Sequence, residues 1–288
     1  MKGRILLLGG SGRVGTALAR RLNHVTRPTR REFDLATATA DDVRHLLDNN
    51  RPDALINCAA YTAVDRAEDE ADLAHLVNAN ALGMLAVTAA EYGLPLVTYS
   101  TDYVFDGTAR RPYLESSHTS PINVYGRSKL AGERLALELN PTTLVIRTSW
   151  VISETHPSFV ATMLRSAWEG RLIKVVDDQQ GSPTIADDLA AATIEAMNLG
   201  AGGILHLTNQ GGTTWFGLAK AALIAAGLDP SCVRPCSTAE YPTRARRPAY
   251  SVLESTKIVD LGMKPLPHWR DSLTGMVGRL MEGFEAHR

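Results

Sequence analysis

The stretch Ile5-Leu6-Leu7-Leu8-Gly9-Gly10-Ser11-Gly12-Arg13-Val14-Gly15 decides the fold of this 288-residue chain. Its apolar run predicts a buried strand, and its glycines follow where a helical pattern begins. In dinucleotide-binding folds such glycines permit a tight turn, close approach of the backbone to a pyrophosphate and close helix packing. The spacing is G-x-x-G-x-x-G, so the position after the first strand carries the prediction of a cofactor-binding turn. A purely structural turn is the alternative.

Short apolar runs alternate with helical patterns beyond this turn. The alternation predicts an α/β fold with a doubly wound parallel sheet of Rossmann type. The predicted strands are residues 4–8, 24–26, 54–57, 96–100 and 143–147. The predicted helices are residues 14–22, 41–47, 71–92, 124–139, 186–198, 215–226 and 269–285. Proline and glycine punctuation becomes denser after Trp150, which predicts a dinucleotide-binding domain over 1–150 and a smaller substrate-binding lobe over 151–288, with parts that return to the sheet.

Composition narrows the classes of function. The 30 Lys and Arg balance 31 Asp and Glu, so no basic excess indicates a nucleic-acid partner. Apolar runs such as residues 5–8 are far shorter than the roughly 18–20 residues needed to cross a bilayer, so the sequence predicts neither a signal peptide nor a membrane span. Three cysteines (Cys58, Cys232 and Cys236) form no disulfide framework and indicate a reducing, cytoplasmic location.

Tyr125 and Lys129 lie four residues apart in a segment that Pro121 is predicted to open, so they share one helix face. A neighbouring ammonium stabilises a phenolate and is expected to lower the pKa of the tyrosine. Tyr125 is then a proton donor for a carbonyl that is being reduced. Ser100 and Thr101 end a predicted strand, where open α/β sheets bind ligands, and can offer a hydroxyl to the same carbonyl. For the Tyr–Lys pair taken alone, a surface pair without function is the alternative.

The combination of turn, strand-end hydroxyl and Tyr-x-x-x-Lys resembles the extended short-chain dehydrogenase/reductases. Within them it is most similar to the dTDP-4-dehydrorhamnose reductase family and related nucleotide-sugar 4-ketoreductases. The motifs that carry the resemblance are residues 57–65, 100–107, 123–129, 147–150, 178–184, 241–243 and 247–248.

The resemblance implies NADPH-dependent reduction of the C4 ketone of a nucleotide-linked 4-keto-6-deoxysugar, most closely dTDP-4-dehydro-L-rhamnose. It assigns Thr101, Tyr125 and Lys129 to catalysis, with Lys129 also holding the cofactor ribose. The implied cofactor contacts are Gly9, Gly12, Arg13, Val14, Gly15, Arg30, Arg31, Asp34, Leu35, Ala59, Ala60, Tyr61, Asn78, Tyr125 and Lys129. The implied substrate contacts are Val64, Thr101, Tyr103, Trp150, Gln179 and Arg247.

Two of these assignments also rest on side-chain chemistry. A guanidinium makes charge-assisted bonds to a diphosphate, which favours Arg247 as a substrate contact, whereas a solvated basic run is the alternative. A site selective for NAD carries a carboxylate about 20 residues past the glycine turn, where this chain has Arg30 and Arg31 instead. These arginines predict pairing with a 2′-phosphate and a preference for NADPH. The alternative is that both are solvent-facing loop residues and that NADPH and NADH are both used.

The remaining expectations concern metal binding, oligomeric state, the identity of the sugar and alternative functions. Residues 16–18 lack the carboxylate with which some relatives bind magnesium, so we expect no metal, and both a monomer and a homodimer stay open. Residues 152–156 differ from the family's usual Tyr/Gly-rich run, which leaves the sugar open. A dehydratase would place Glu after Asp102, where this chain has Tyr103. An epimerase would bind NAD through an acidic residue after the second strand, and the sequence patterns identify none there. A non-catalytic regulatory subunit, resembling that of methionine adenosyltransferase, is the rival from another class.

Overall fold

A six-stranded parallel sheet is the centre of the computed structural model, which describes residues 3–285. The strands are β1 (Arg4–Leu8), β2 (His24–Thr26), β3 (Ala54–Asn57), β4 (Leu96–Thr101), β5 (Leu144–Thr148), β6 (Val151–Ile152), β7 (Ile173–Val176), β8 (Gln180–Gly181), β9 (Thr184–Ile185), β10 (Gly203–His206), β11 (Thr213–Thr214) and β12 (Val233–Cys236). The sheet order is β10-β5-β4-β3-β1-β2, and every neighbouring pair is parallel. The predicted fold class is confirmed.

Helices cover both faces of this sheet. They are α1 (Arg13–Arg21), α2 (Ala40–Asn50), α3 (Ala71–His75), α4 (Ala81–Glu91), α5 (Val124–Leu139), α6 (Phe159–Trp168), α7 (Ala186–Asn198), α8 (Trp215–Ala225), α9 (Lys257–Asp260) and α10 (Trp269–Glu285). Ile5 and Leu7 of β1 belong to the core cluster that contains residues of α1 and α7, whereas Leu6 and Leu8 pack with residues of α2 and α4. A strand buried on both faces reads as a continuous apolar run, which is why residues 5–8 do not alternate.

The second half of the chain both returns to the sheet and builds a separate core. Helix α7 packs on α1, and β10 is the sixth strand of the sheet, an element that the sequence patterns did not reveal. A further core cluster joins α6, α8 and α10, and its largest fully buried side chain is Trp269. Helix α6 was not predicted either. Helix α5 spans the predicted residues 124–139, and its N-cap is Asn123, two residues after Pro121, which was expected to open this segment.

The segment Ala71–Glu91 is the longest apolar helix among the described residues. It runs from α3 through a π-helical turn (Leu76–Asn80) into α4. By length and composition alone this helix could cross a membrane, whereas the sequence analysis predicted no membrane span. Of its most apolar stretch, 56% is buried inside the protein. Leu82 and Leu85 pack against Leu6 and Leu55 of the sheet, so this is a core helix of the fold.

Candidate active site

A cavity of about 1010 Å³ lies beyond the carboxyl ends of the sheet strands, between the sheet and the second lobe. Its walls include the glycine turn after β1, the residues after β3, the ends of β4 and β5, and Trp215 of α8. The chain runs from β1 to β2 on one side of β1 and then crosses back to β3 on its other side, so the strand order reverses at β1. Ligands of open α/β sheets bind at such a switch point, so the topology itself places a site here.

The glycine turn forms one wall of this cavity with its backbone. Gly9 has a φ of +69°, and a Cβ on it would lie 2.5 Å from the backbone nitrogen of Ala59. A Cβ on Gly15 would collide with the carbonyl oxygen of Gly9. No side chain caps the first turn of α1, whose N-cap is Gly12. A bare helix N-terminus beside a glycine backbone fits the diphosphate of a dinucleotide cofactor.

Two elements bring the catalytic candidates together. Strand β4 ends at Thr101, and α5 carries Tyr125 and Lys129 on the face that borders the cavity. Helix α5 can pack closely against the segment after β4 because residue 126 is glycine. A Cβ at that position would collide with the carbonyl oxygen of Tyr103. In addition to its N-cap Asn123, the first turn of α5 is held by Glu68, whose carboxylate accepts a hydrogen bond from the backbone N–H of Val124 at 2.8 Å.

Burial controls the acid–base properties of this pair. Burial raises the pKa of Tyr125 to about 12, against the lowering effect of a hydrogen bond with Thr101. The prediction of a lowered tyrosine pKa is therefore wrong, because burial outweighs the groups that would stabilise the phenolate. Burial lowers the pKa of Lys129 to about 8, opposed chiefly by the charge of Glu133. At neutral pH Tyr125 is protonated, which is the form that a proton donor needs.

Asp102 is a site residue that the sequence patterns did not reveal. It lines the cavity and is 2% exposed, and burial raises its pKa to about 7. Its Oδ1 accepts a hydrogen bond from the Thr101 hydroxyl at 3.0 Å, while that hydroxyl oxygen accepts one from the backbone N–H of Tyr103 at 3.2 Å. The protonation state of Asp102 therefore affects the direction in which the Thr101 hydroxyl points. The sequence signal that could have identified Asp102 as a site residue is its position directly after Thr101.

Asn78 fixes the position of the loop after β3, which borders the predicted cofactor site, through hydrogen bonds to the backbone of that loop. Its Oδ1 accepts from the backbone N–H of Tyr61 at 2.9 Å, and its Nδ2 donates to the Tyr61 carbonyl at 3.0 Å and to the Ser128 hydroxyl at 2.9 Å. Asn78 is buried and lies outside the cavity lining. It connects the loop after β3 with α5.

The two arginines after β2 occupy different places. Arg30 lines the cavity, and its Nε donates to Asp34 at 3.0 Å. Arg31 is exposed and lies outside the lining. Asp34 also lines the cavity and accepts from the backbone N–H of Ala36 at 3.0 Å. Asp34 is thus paired with Arg30 inside the cavity lining.

Aromatic side chains form the wall toward the second lobe. Trp150 adopts a φ of +44°, and its ring stacks on Trp215 with 3.7 Å between centroids. A Cβ on Gly181 would lie 2.5 Å from the Trp150 ring, so a glycine is needed behind it. Trp215 was not predicted as a site residue, because its contact with Trp150 spans 65 residues of sequence. Backbone strain retained at a cavity wall is common at ligand sites.

Most of the predicted site residues border one cavity. The predicted residues in its lining are Gly9, Gly12, Arg13, Val14, Gly15, Arg30, Asp34, Leu35, Ala59, Ala60, Tyr61, Val64, Thr101, Tyr103, Tyr125, Lys129 and Trp150. The predicted residues outside the lining are Arg31, Asn78, Gln179 and Arg247.

Gln179 and Arg247 have protein partners. Both terminal nitrogens of Arg247 bind the Asp65 carboxylate, at 2.5 and 2.7 Å, and the Gln179 amide donates to Thr238 at 3.0 Å. Substrate contact by either side chain stays a prediction. Within residues 3–285, no group of three or more His, Cys, Asp or Glu side chains is placed to hold a metal ion.

We expect kcat/KM for NADPH to fall as the pH rises through about 8, because Lys129 loses its proton there in the free enzyme. Tyr125, with a pKa of about 12, cannot account for a fall in kcat/KM at that pH. Rates measured from pH 6 to 10 test this, with Asp102→Asn as the control that removes the group titrating near 7. The fall of kcat/KM near pH 8, the alkaline limb of the profile, should persist in that control. A profile that stays flat to pH 10 would contradict the role of Lys129.

A glycine-lined cleft at the switch point of a Rossmann-type sheet, with Thr101, Tyr125 and Lys129 meeting beside it, is typical of the extended short-chain dehydrogenase/reductases. The fold and the site assign the chain to that class. The RmlD substrate binding domain family matches residues 2–282. The chain belongs to this family, and the resemblance stated above is confirmed.

Named relatives agree over nearly the whole chain. A dTDP-4-dehydrorhamnose reductase of Mycolicibacterium smegmatis is 42% identical over 288 residues, covering 98% of this chain and 87% of the relative. Another, of Streptomyces griseus, is 41% identical over 297 residues and covers 97% of both chains. A crystal structure of the Bacillus anthracis dTDP-4-dehydrorhamnose reductase in complex with NADP superposes with a TM-score of 0.92 at 35% identity, over 96% of this chain and 99% of that chain.

Proposed function

We propose that this protein reduces the C4 ketone of dTDP-4-dehydro-L-rhamnose to a hydroxyl, with NADPH as the cofactor, and so forms dTDP-L-rhamnose. The observation that carries the proposal is that Thr101, Tyr125 and Lys129 border the same cavity as the glycine turn. Relatives named for this reaction, about 40% identical over nearly the full chain, support the choice of substrate.

The chain's own groups account for binding and proton transfer. We propose that the glycine turn, Arg30 and residues 59–61 hold the dinucleotide, and that Lys129 binds its ribose. When bound, NADPH supplies the hydride for the ketone carbon. Tyr125 holds the proton that the ketone oxygen takes up, and the Thr101 hydroxyl is placed to bond the same oxygen. The Lys129 charge compensates the phenolate that remains.

The second lobe supplies the substrate wall in this proposal. The stacked rings of Trp150 and Trp215 offer an apolar face to the deoxysugar, and Tyr103, two residues after the end of β4, also lines the cavity. Accordingly, residues 1–150 are assigned to the dinucleotide and 151–288 mainly to the substrate. Free thiols at all three cysteines support a reducing, cytoplasmic location, and we keep both monomer and homodimer as proposed states.

The direct test follows NADPH absorbance with enzymatically generated dTDP-4-keto-6-deoxysugars, and then identifies the C4 configuration of the product. We expect rapid oxidation with dTDP-4-dehydro-L-rhamnose and slower oxidation with its UDP-linked counterpart. Tyr125→Phe serves as the inactive control. If NADPH binds but no sugar is reduced, and a partner protein is retained in pull-down, the non-catalytic subunit becomes the better interpretation.

Arg30 and Arg31 should differ in their effect on cofactor preference. We expect Arg30→Ala to lower the NADPH-to-NADH ratio of kcat/KM by about 10-fold or more, because a charge-assisted hydrogen bond contributes about 1.5–3 kcal/mol. Arg31→Ala is the matched control, since its side chain lies outside the cavity lining, and its ratio should stay within about 2-fold of wild type. Steady-state kinetics with both cofactors decide the point. Equal ratios in wild type and Arg30→Ala would remove Arg30 from the 2′-phosphate site.

A further inference from the structure

The segment 153–157, which we call the strap, lies between β6 and α6 and crosses from the second lobe to the glycine turn. His156 and Pro157 line the cavity on the side where Ser11, Gly12 and Arg13 line it from the turn. None of the site motifs identified in the sequence includes a strap residue. The strap therefore borders the proposed cofactor site without an assigned role.

Two hydrogen bonds join the strap to the turn directly. The His156 Nε2 lies 2.7 Å from the carbonyl oxygen of Ser11, and the Arg13 guanidinium donates to the carbonyl of Pro157 at 2.7 Å. Because a carbonyl oxygen only accepts, the His156 Nε2 carries the proton in the first of these bonds. Both bonds end on residues of the cavity wall.

Further contacts hold the strap in this position. The Glu154 carboxylate accepts from Arg20 of α1 at 3.0 Å and from Arg279 of α10 at 2.6 Å, so it ties the strap to both lobes. The Thr155 hydroxyl lies 3.0 Å from the His156 Nδ1 and 3.1 Å from the Ser153 hydroxyl. Both ring nitrogens of His156 are thus engaged, and the ring is held against the turn.

We infer that the strap is part of the cofactor-binding site and that its His156–Ser11 bond retains the dinucleotide beneath it. The inference rests on the proposed use of NADPH. The diphosphate of a dinucleotide lies against the glycine turn and the N-terminus of α1, which is where the strap attaches. A cofactor covered by such a segment leaves only after the segment detaches, so the contact acts on the dissociation rate.

The test is the dissociation rate of NADPH, measured by stopped-flow fluorescence on displacement with excess NADP. We expect His156→Ala to raise this rate about 3- to 10-fold, the effect of one neutral hydrogen bond. His156→Gln places an amide N–H near the position of Nε2 and should restore most of the wild-type rate. His118→Ala, at an exposed histidine outside the cavity lining, is the control and should match wild type.

The outcomes separate this inference from the proposed function. If wild-type protein does not bind NADPH, the proposed function fails together with the inference. If wild type binds NADPH and His156→Ala releases it at the wild-type rate, the strap inference alone is overturned. A His156→Gln rate as high as that of His156→Ala also overturns the Ser11 bond as the cause. Should His156→Ala fold poorly, Glu154→Gln loosens the strap from outside the cavity, and an unchanged rate there overturns the inference.

Discussion

Tyr125→Phe lowers kcat about 100- to 10,000-fold, the range typical of a lost general acid, while the Kd for NADPH stays within about 2-fold of wild type. The reason is that the change removes one hydroxyl, and with it the proton that the ketone oxygen must receive. The ring itself stays packed edge-on against Tyr103, with 6.1 Å between centroids. Single-turnover NADPH oxidation, together with a fluorescence titration of NADPH, measures the two effects separately.

Two variants sharpen this result. Tyr103→Phe removes a hydroxyl from the same cavity wall and should change kcat by less than about 10-fold, because it loses no more than one hydrogen bond. Lys129→Ala should lower kcat and also weaken NADPH binding, since its ammonium is assigned to the ribose. If Tyr125→Phe retains more than half of the wild-type kcat, Tyr125 is not the proton donor.

Glu133→Gln should lower the free energy of unfolding by about 3–5 kcal/mol, the cost of breaking a buried ion pair by removing one partner. Glu133 on α5 accepts two hydrogen bonds from Arg147 on β5, at 2.9 and 2.6 Å, and both side chains are 3% exposed. The substitution keeps the shape of the side chain but leaves the Arg147 charge buried without its counterion. Lys129, one helical turn away, adds a second positive charge nearby.

Urea unfolding at pH 7 measures this loss, and Glu91→Gln is the control. Glu91 pairs with Arg44 at the surface, where both side chains are about 40% exposed, so its loss should cost no more than about 1 kcal/mol. Comparable destabilisation by the two variants would show that the Glu133–Arg147 pair contributes no more than a surface contact. Because Glu133 also helps to keep Lys129 charged, the alkaline limb of kcat/KM should move to lower pH in Glu133→Gln.

Local sequence patterns determined most strands of the central sheet, the glycine turn and the helix that carries Tyr125 and Lys129. A continuous apolar run followed by spaced glycines specifies a buried strand, a turn and a helix, because each depends on residues within about ten positions of one another. Five strands of the sheet and the full extent of α5 could be predicted in this way. The pairing of Tyr125 with Lys129 is equally local, since a spacing of four places both side chains on one helix face.

Elements with weak local signals were missed for physical reasons. Strand β10 has only four residues, two of them fully buried, and joins the sheet because α7 brings it beside β5. The high pKa of Tyr125 and the raised pKa of Asp102 both come from burial, which depends on how the second lobe covers the strand ends. Neither quantity can be read from the neighbouring residues in the chain.

Only the tertiary structure decided which long, flexible side chains reach the cavity. Arg30 lines it while its neighbour Arg31 does not, and Arg247 pairs with Asp65 across 182 positions of sequence. His156 meets Ser11 across 145 positions, because the strap is held between α1 and α10. Periodicity specifies which face of an element is buried, whereas contacts between distant polar side chains depend on how the two lobes pack together.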